Sequence, residues 1–473
     1  MLNHLSVTNF KAWRELNMPL GKITGLFGTN SSGKSSIIQF LLMLKQTKNT
    51  TDRRLVLDFG GPDEFVNLGN FRDVVHQGDE TAQIEWKLEW TLWDPLKIQD
   101  PAGRRRAVLY EDKQLGMRAR VGLDGELAAK LLEYRFGDAV FALRQRDGRR
   151  TEFDLDSNDY EFTRNRGRGW ALPGPVKTHL FPDQVRTYYQ NADFLSEFAS
   201  RYEVLMDNVF YLGPLREYPQ REYRWAGSSP TDVGPRGERT VDAILSATGR
   251  GERRNMAPGR KLMDFQEMIA YWLRELDLID SFSIAEIAPG SNLYQARVRR
   301  DRFSPERMLT DVGFGVSQIL PVLALLYYVP EHSIVLMEQP ELHLHPSVQS
   351  GLADVMLAVA RRRDVQIIVE SHSEHMLRRF QRRVAEGREA SASDLKLYFV
   401  ESRSGRALCE DLQLNEWGEI ENWPADFFGD EMGEIAAIEG VDDRGRCRGA
   451  TALSAARVEG SITHWRRQPD KWC

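Results

Sequence analysis

The sequence predicts an α/β fold of the P-loop type, in which two distant segments build one mixed sheet. An antiparallel β subdomain and a helical insertion are expected between them. Three observations lead there. An apolar run, Lys22-Ile23-Thr24-Gly25-Leu26-Phe27, enters a glycine-bearing loop, Gly28-Thr29-Asn30-Ser31-Ser32-Gly33-Lys34-Ser35-Ser36, and a second apolar run, Ile37 to Leu42, follows at once. Far downstream, Ser333–Met337 and Val365–Val369 are apolar runs separated by charged helical patterns, as buried parallel strands are. Between these parts, the stretch from Gln83 to Phe153 alternates apolar and polar residues, which suits an antiparallel sheet with one wet face.

Taken in order, residues 1–82 read as the first part of the core: short strands around Leu5–Val7 and Ile23–Phe27, then the helix after the loop. Residues 83–156 read as the antiparallel subdomain, with Asp124-Gly125 and Asp147-Gly148 as turns. Residues 157–305 read as a mostly helical insertion, with helical patterns over 190–208 and 260–277 and a polar Arg/Gly-rich loop from Asn158 to Pro175. Residues 306–412 return to the core, and their helices are expected over Ser347–Arg362 and Ser373–Ala385. The second of these follows a capping-box spacing, Ser371-His372-Ser373-Glu374. Residues 413–473 form a C-terminal extension.

The loop carries the chemistry. Gly28 and Gly33 let backbone amides curl around anionic oxygens, Lys34 reaches the outer phosphates, and Ser35 offers a hydroxyl to Mg²⁺ at a helix N-terminus. Strand, loop and helix stand in the order that a nucleoside triphosphate site requires. A carboxylate at the C-terminal end of a parallel strand is where such a site holds its metal, and Glu338 stands at one such end.

Bulk properties narrow the class. With 473 residues, 41% hydrophobic and 28% charged, the chain is an ordinary globular protein. The longest apolar stretch, Ile319–Val329, is too short for a bilayer and is broken by Pro321; a cytoplasmic protein without membrane contact is expected. Cys409, Cys447 and Cys473 have no zinc spacing and are odd in number, so reduced thiols are expected. A net charge of −6 gives no global attraction for nucleic acid. Contact with it would fall to local runs such as Arg361–Arg363 and Arg378-Arg379 with Arg382-Arg383, though charged helix faces are usually just solvated. Arg104–Arg106 reads as an exposed hairpin tip, and His343 and His345 read as packing and hydrogen-bonding residues rather than metal ligands.

The loop, Asp311–Gln318, Glu338–Pro346 and His372, in that order, resemble the ATP-binding-cassette (ABC) head of the SMC and RecF-like AAA ATPases. Within that group they resemble the short bacterial ATPases related to the overcoming-lysogenisation-defect (OLD) family. The resemblance implies ATP and Mg²⁺ as ligands. It makes Gly28, Asn30, Ser31, Ser32, Gly33, Lys34, Ser35 and Ser36 the Walker A contacts, and Ser35 and Glu338 the metal residues. Asp311–Gln318 become the signature, with Gly313, Phe314, Gly315 and Ser317 meeting the ATP of a second subunit. Glu341–Pro346 become the D-loop, and His372 senses the γ-phosphate. A nucleotide-bridged homodimer, or a higher even-numbered assembly, follows.

Two departures shape the expected chemistry. Gly313-Phe314-Gly315 replaces Ser-Gly-Gly and so lacks a hydroxyl, leaving Ser317 or backbone amides to take its part. Gln339 stands where the catalytic glutamate is usual, so slow hydrolysis is expected, with Gln339 orienting water and Glu341 offering a nearby carboxylate. Phe71-Arg72-Asp73 is expected near the nucleotide. Tyr211–Arg216 and Trp423–Phe428 share in the resemblance without an assigned role. The residues after His372 are expected to hold no OLD-type (Toprim) nuclease domain, since Glu439–Asp443 crowd their acids into one turn. The functional expectation is an ATPase that regulates a separately encoded effector, such as a nuclease, in anti-phage defence. The alternatives are a RecF-like DNA-binding repair ATPase and a slow or non-hydrolysing nucleotide switch.

Overall fold

Two large sheets enclose the helix that follows the glycine loop. A computed structural model describes residues 1–99, 108–167, 170–254, 262–387 and 390–424. Residues 1–423 form one compact unit. Arg104–Arg106, Cys447, Cys473, most of Trp423–Phe428 and Glu439–Asp443 lie outside the described residues.

The core sheet has six strands in the order Arg406–Leu412, Leu395–Arg403, Ile23–Gly28, Gln366–Glu370, Ile334–Glu338 and Val209–Leu212. All neighbours are parallel except the hairpin pair Leu395–Arg403 and Arg406–Leu412. The Gln366–Glu370 and Ile334–Glu338 strands are buried along their whole length, which is why their sequences are continuously apolar up to the terminal acid. The second sheet is antiparallel, with seven strands running from Trp13–Pro19 through Leu2–Phe10 and Ile84–Gln99 to Arg149–Ser157. Gly125 and Gly148 turn its hairpins at positive φ, as the Asp-Gly signals require.

The helix Lys34–Asn49 lies between the sheets and is buried on nearly every side. Phe40 meets Phe10 and Trp86 edge-on at 5.0 and 5.8 Å. A buried glutamine ties the two layers together. Gln366, on a core strand, accepts from the Leu2 amide at 2.8 Å and donates to the Leu2 and Gly21 carbonyls at 2.7 and 2.8 Å, satisfying backbone groups of the antiparallel sheet and of the link that leads into the core sheet.

The sequence-based organisation needs three corrections. The antiparallel sheet draws Leu2–Phe10 and Trp13–Pro19 from residues 1–82, so it is not confined to 83–156. The stretch 157–305 is mixed rather than mostly helical. It holds helices such as Leu195–Asp207 and Phe265–Glu275, a small sheet built on Ser281–Glu286 and Leu293–Arg299, and the core strand Val209–Leu212. Strands this short complete too few periods to be told from loop. The helix Glu374–Glu386 is capped by Ser373, not Ser371: the Ser373 hydroxyl accepts from the Met376 amide at 3.0 Å, while Ser371 takes the Ser373 amide.

Candidate nucleotide site

The C-terminal ends of three adjacent parallel strands bring the site together. In register, Leu26, Glu370 and Glu338 lie side by side, so the loop after Gly28 emerges beside two acids. Gly28 and Gly33 sit at φ +129 and +106, conformations that only glycine adopts without strain. Lys34 is buried, and its ammonium donates to the Gly28 and Thr29 carbonyls at 3.0 and 2.6 Å and to Ser32 Oγ at 3.4 Å. Burial lowers its pKa, opposed by the charges of Glu370 and Glu341. Asn30 and Ser31 are exposed on the loop and Ser32 is buried. Ser36 faces inward: its hydroxyl donates to the Gly33 carbonyl at 2.5 Å and accepts from the Trp13 indole at 2.8 Å, so it braces the loop.

Three carboxyl groups share the site. Burial, then the neighbouring Glu370, pushes Glu338 up to about 7, against a 2.9 Å hydrogen bond donated by Tyr211 and the charges of Arg216 and Lys11. Burial likewise raises Glu341, whose Oε1 accepts from the His372 amide at 2.7 Å. Burial also raises Glu370, countered by the Ser35 hydroxyl and Lys34. Among the described residues, Glu341 Oε2 and Glu370 Oε2 are buried without a hydrogen-bond partner. Clustered acids with unfilled oxygens suit a hard divalent cation that takes one or two carboxylates and completes its shell from phosphates. Among the described residues, no three His, Cys, Asp or Glu side chains form a metal-holding group by themselves. His372 is held below its usual pKa by burial and by Lys34, and interacts with the Gly28 backbone, which sets it at the mouth of the loop.

The residues expected to form the signature, Asp311–Gln318, lie at the start of another helix. The helix Phe314–Tyr328 begins at Gly313; Phe314 is 48% exposed and meets Tyr218 and His343 edge-on at 5.3 and 5.9 Å. A Cβ at Gly313 would meet nothing within 4 Å, and one at Gly315 would meet only ordinary contacts. Ser317 lies one turn further into the helix. It is buried and donates to the Phe314 carbonyl at 2.8 Å, as serines one turn into a helix often do. Gln339 follows Glu338 at φ +44, its amide donating to the Glu370 carbonyl at 2.8 Å. His345 caps the helix Pro346–Arg363 by accepting from the Ser347 amide at 3.3 Å. Phe71 starts a four-residue helix whose Val74 carbonyl accepts the Lys11 amide at 2.7 Å, so this segment braces the turn that carries Lys11.

The arginines of the helix Glu374–Glu386 are ion-paired, partly with the neighbouring helix. Arg379 and Arg383 share Asp354 at 2.6 and 2.7 Å, Arg378 pairs with Glu374 at 3.2 Å, and Arg382 pairs with Glu386 at 2.8 Å. Arg363 is buried and donates to the Leu326 and Val329 carbonyls at the end of the signature helix.

Sequence reasoning missed Glu370, Arg216 and Lys11 as site residues. Glu370 carried the same signal as Glu338, an acid ending an apolar strand. Arg216 lay in a segment marked out only by resemblance, and Lys11, in a strand-to-strand turn, carried no signal.

The AAA ATPase domain model matches residues 1–160 and 297–377, together just over half of the chain, and a model described as a protein of unknown function (DUF3696) matches residues 391–438. No curated protein matches. The chain is similar to three solved SMC heads. One, bound to the C-winged helix domain of ScpA, is 13% identical with a TM-score of 0.42, covering 88% of this chain and 98% of that one. The SMC head domain from Thermotoga maritima is 10% identical with a TM-score of 0.39, covering 87% and 98%. The third, from Pyrococcus furiosus, has an extended coiled coil, is bound to the C-terminal domain of ScpA and is 12% identical; its TM-score is 0.42, and 87% and 96% are covered. Among the described residues no helix is long and apolar enough to cross a membrane. By the match over both halves of its nucleotide core, the chain belongs to the AAA ATPase domain family.

Proposed function

We propose that this chain is a Mg²⁺-dependent ABC-type ATPase, that two copies close around ATP, and that this closure controls a separately encoded effector. The observation that carries the reading is the convergence of Lys34, Glu338, Glu341, Glu370 and His372 at one end of the core sheet, with unfilled acid oxygens beside the glycine loop. Ser35, Glu338 and Glu370 would hold Mg²⁺, which would neutralise phosphate charge during transfer to water. The exposed start of the helix Phe314–Tyr328, with Phe314 turned to solvent, supports a role toward a second copy.

Resemblance to the OLD-related short ATPases extends the reading to anti-phage defence, with a nuclease as the effector. The ion pairs of Arg378, Arg379, Arg382 and Arg383 give no support to direct nucleic-acid binding by that helix. A second reading, a nucleotide switch that barely hydrolyses, is favoured by Gln339, whose amide cannot accept a proton.

Phosphate release by the purified protein tests both. The ATPase reading expects Mg²⁺-dependent turnover below about 10 per second, lost in Lys34→Ala, with ATP-dependent dimerisation by light scattering. Binding without phosphate release supports the switch. Absence of nucleotide binding refutes both, and co-purification with the product of a neighbouring gene tests the effector.

A further inference from the structure

The segment Tyr211–Arg216 leaves the edge strand Val209–Leu212 beside Glu338, because Leu212 pairs with Met337 one residue earlier. It is pinned on both sides of Arg216. The Gly213 amide donates to the Pro235 carbonyl at 2.7 Å, and the Glu217 amide donates to the Arg236 carbonyl at 2.8 Å. Arg216 therefore projects from a fixed turn. Its Nε and Nη1 are buried and lack any hydrogen-bond partner among the described residues. The groups facing it are Tyr211, Glu341 and Glu338, and none of them pairs with its Nε or Nη1; Glu338 Oε1 accepts from Tyr211 and Glu341 Oε1 from the His372 amide.

A buried guanidinium with free donors calls for an anion, and its planar fork suits phosphate oxygens. Glu341 is the shared neighbour of the two cations, since its charge acts on Lys34 and on Arg216 alike. Both cations thus border the acid end of the site, where the outermost phosphate of a loop-bound nucleotide belongs. We infer that Arg216 is a substrate-contacting residue that donates to the terminal phosphate of a nucleoside triphosphate, so that a single subunit distinguishes triphosphate from diphosphate. The inference rests on the nucleotide-binding reading above. It gives the Tyr211–Arg216 segment two linked tasks, with Tyr211 orienting the Glu338 carboxyl and Arg216 reading the phosphate beside it.

The test is equilibrium binding of fluorescent ATP and ADP analogues, with Mg²⁺, to the full chain and to Arg216→Gln and Arg216→Lys. Arg216→Gln is expected to weaken ATP by about tenfold or more, the scale of a charge-assisted hydrogen bond, and to leave ADP within about twofold. Arg216→Lys is expected to lose part of the discrimination, because an ammonium keeps the charge and not the fork. Equal weakening of both nucleotides, or no change in their ratio, overturns the inference and leaves Arg216 as an internal counter-ion. Should Arg216→Gln unfold by circular dichroism, Arg216→Lys decides: an unchanged ATP-to-ADP ratio in that variant is fatal. A wild-type chain that binds neither nucleotide defeats the nucleotide reading itself. Binding that is lost in Lys34→Ala, with an unchanged ratio in both Arg216 variants, defeats only the assignment of Arg216.

Discussion

Gly28→Ala tests whether the phosphate loop is positioned by the strand beside it. A Cβ built on Gly28 would lie 1.9 Å from the Val400 carbonyl oxygen and within 2.9 Å of the Val400 carbonyl carbon and amide nitrogen. These are backbone atoms of the Leu395–Arg403 strand, which pairs with the loop strand at this residue, so no flexible side chain can move aside. Gly125 is the control. It also has a positive φ, +88, but its added Cβ would meet nothing within 4 Å. Gly125→Ala should therefore cost only backbone strain, about 1–2 kcal/mol. Gly28→Ala adds the displacement of a core strand to that strain, which brings the total to about 3 kcal/mol or more. Urea unfolding reads the stability of both variants, and a fluorescent ATP analogue reads the loop. The expected outcome is a Gly125 variant that binds nucleotide normally and a Gly28 variant that binds none, with most of the added cost visible in its unfolding midpoint. A Gly28 variant as stable as the Gly125 variant and binding nucleotide like wild type would refute the claim that Val400 fixes the turn.

Three further outcomes are expected. Gln339→Glu restores a carboxylate beside Glu338 and should raise turnover by about tenfold to a hundredfold, the lower range for a general base because three acids already crowd the site; phosphate release measures it, and an unchanged rate means that Gln339 does not face the attacking water. Burial, with Asp411, raises the Cys409 thiol to about 12, so at pH 8 iodoacetamide should label it about a thousandfold more slowly than an unperturbed cysteine, followed peptide by peptide by mass spectrometry. Burial lowers His332 to about 4 despite its 2.8 Å pairing with Asp364. The folded state holds this residue neutral, so its contribution is complete above the ordinary histidine pKa of about 6.5 and is lost as pH falls toward 4. Urea midpoints across that window should fall less in His332→Gln than in wild type.

The parts of the fold written by continuous apolar runs were legible. Ile334–Glu338 and Gln366–Glu370 emerge within a residue of the runs that announce them, because parallel strands covered on both faces leave no polar position to blur the signal. The loop was legible for the opposite reason: Gly28 and Gly33 are needed for backbone conformations that other residues resist. What stayed hidden depends on partners distant in sequence. Nothing local in Arg379 or Arg383 says that Asp354, on another helix, pairs with both. Nothing near Ser36 says that Trp13 holds its hydroxyl, and nothing near Arg216 says that its donors end up beside Glu338 and Glu341. The capping box was misplaced because Glu341 takes the His372 amide, which leaves Ser373 to begin the helix.

The turn between Glu338 and the helix Pro346–Arg363 explains how one short segment can join two faces of the molecule. Gln339 and His343 both hold φ values in the left-handed region, +44 and +62, where a non-glycine residue is strained by about 1–2 kcal/mol. Such strain persists only where the surroundings over-determine the backbone, and here they do. The Gln339 amide is fixed to the Glu370 carbonyl, the Leu344 amide to the Glu341 carbonyl, the Glu341 carboxyl to the His372 amide, and His345 caps the next helix. At one end the segment touches His372, at the mouth of the phosphate loop; at the other, His343 meets Phe314 at the start of the signature helix. The same short segment thus contacts both His372 and Phe314.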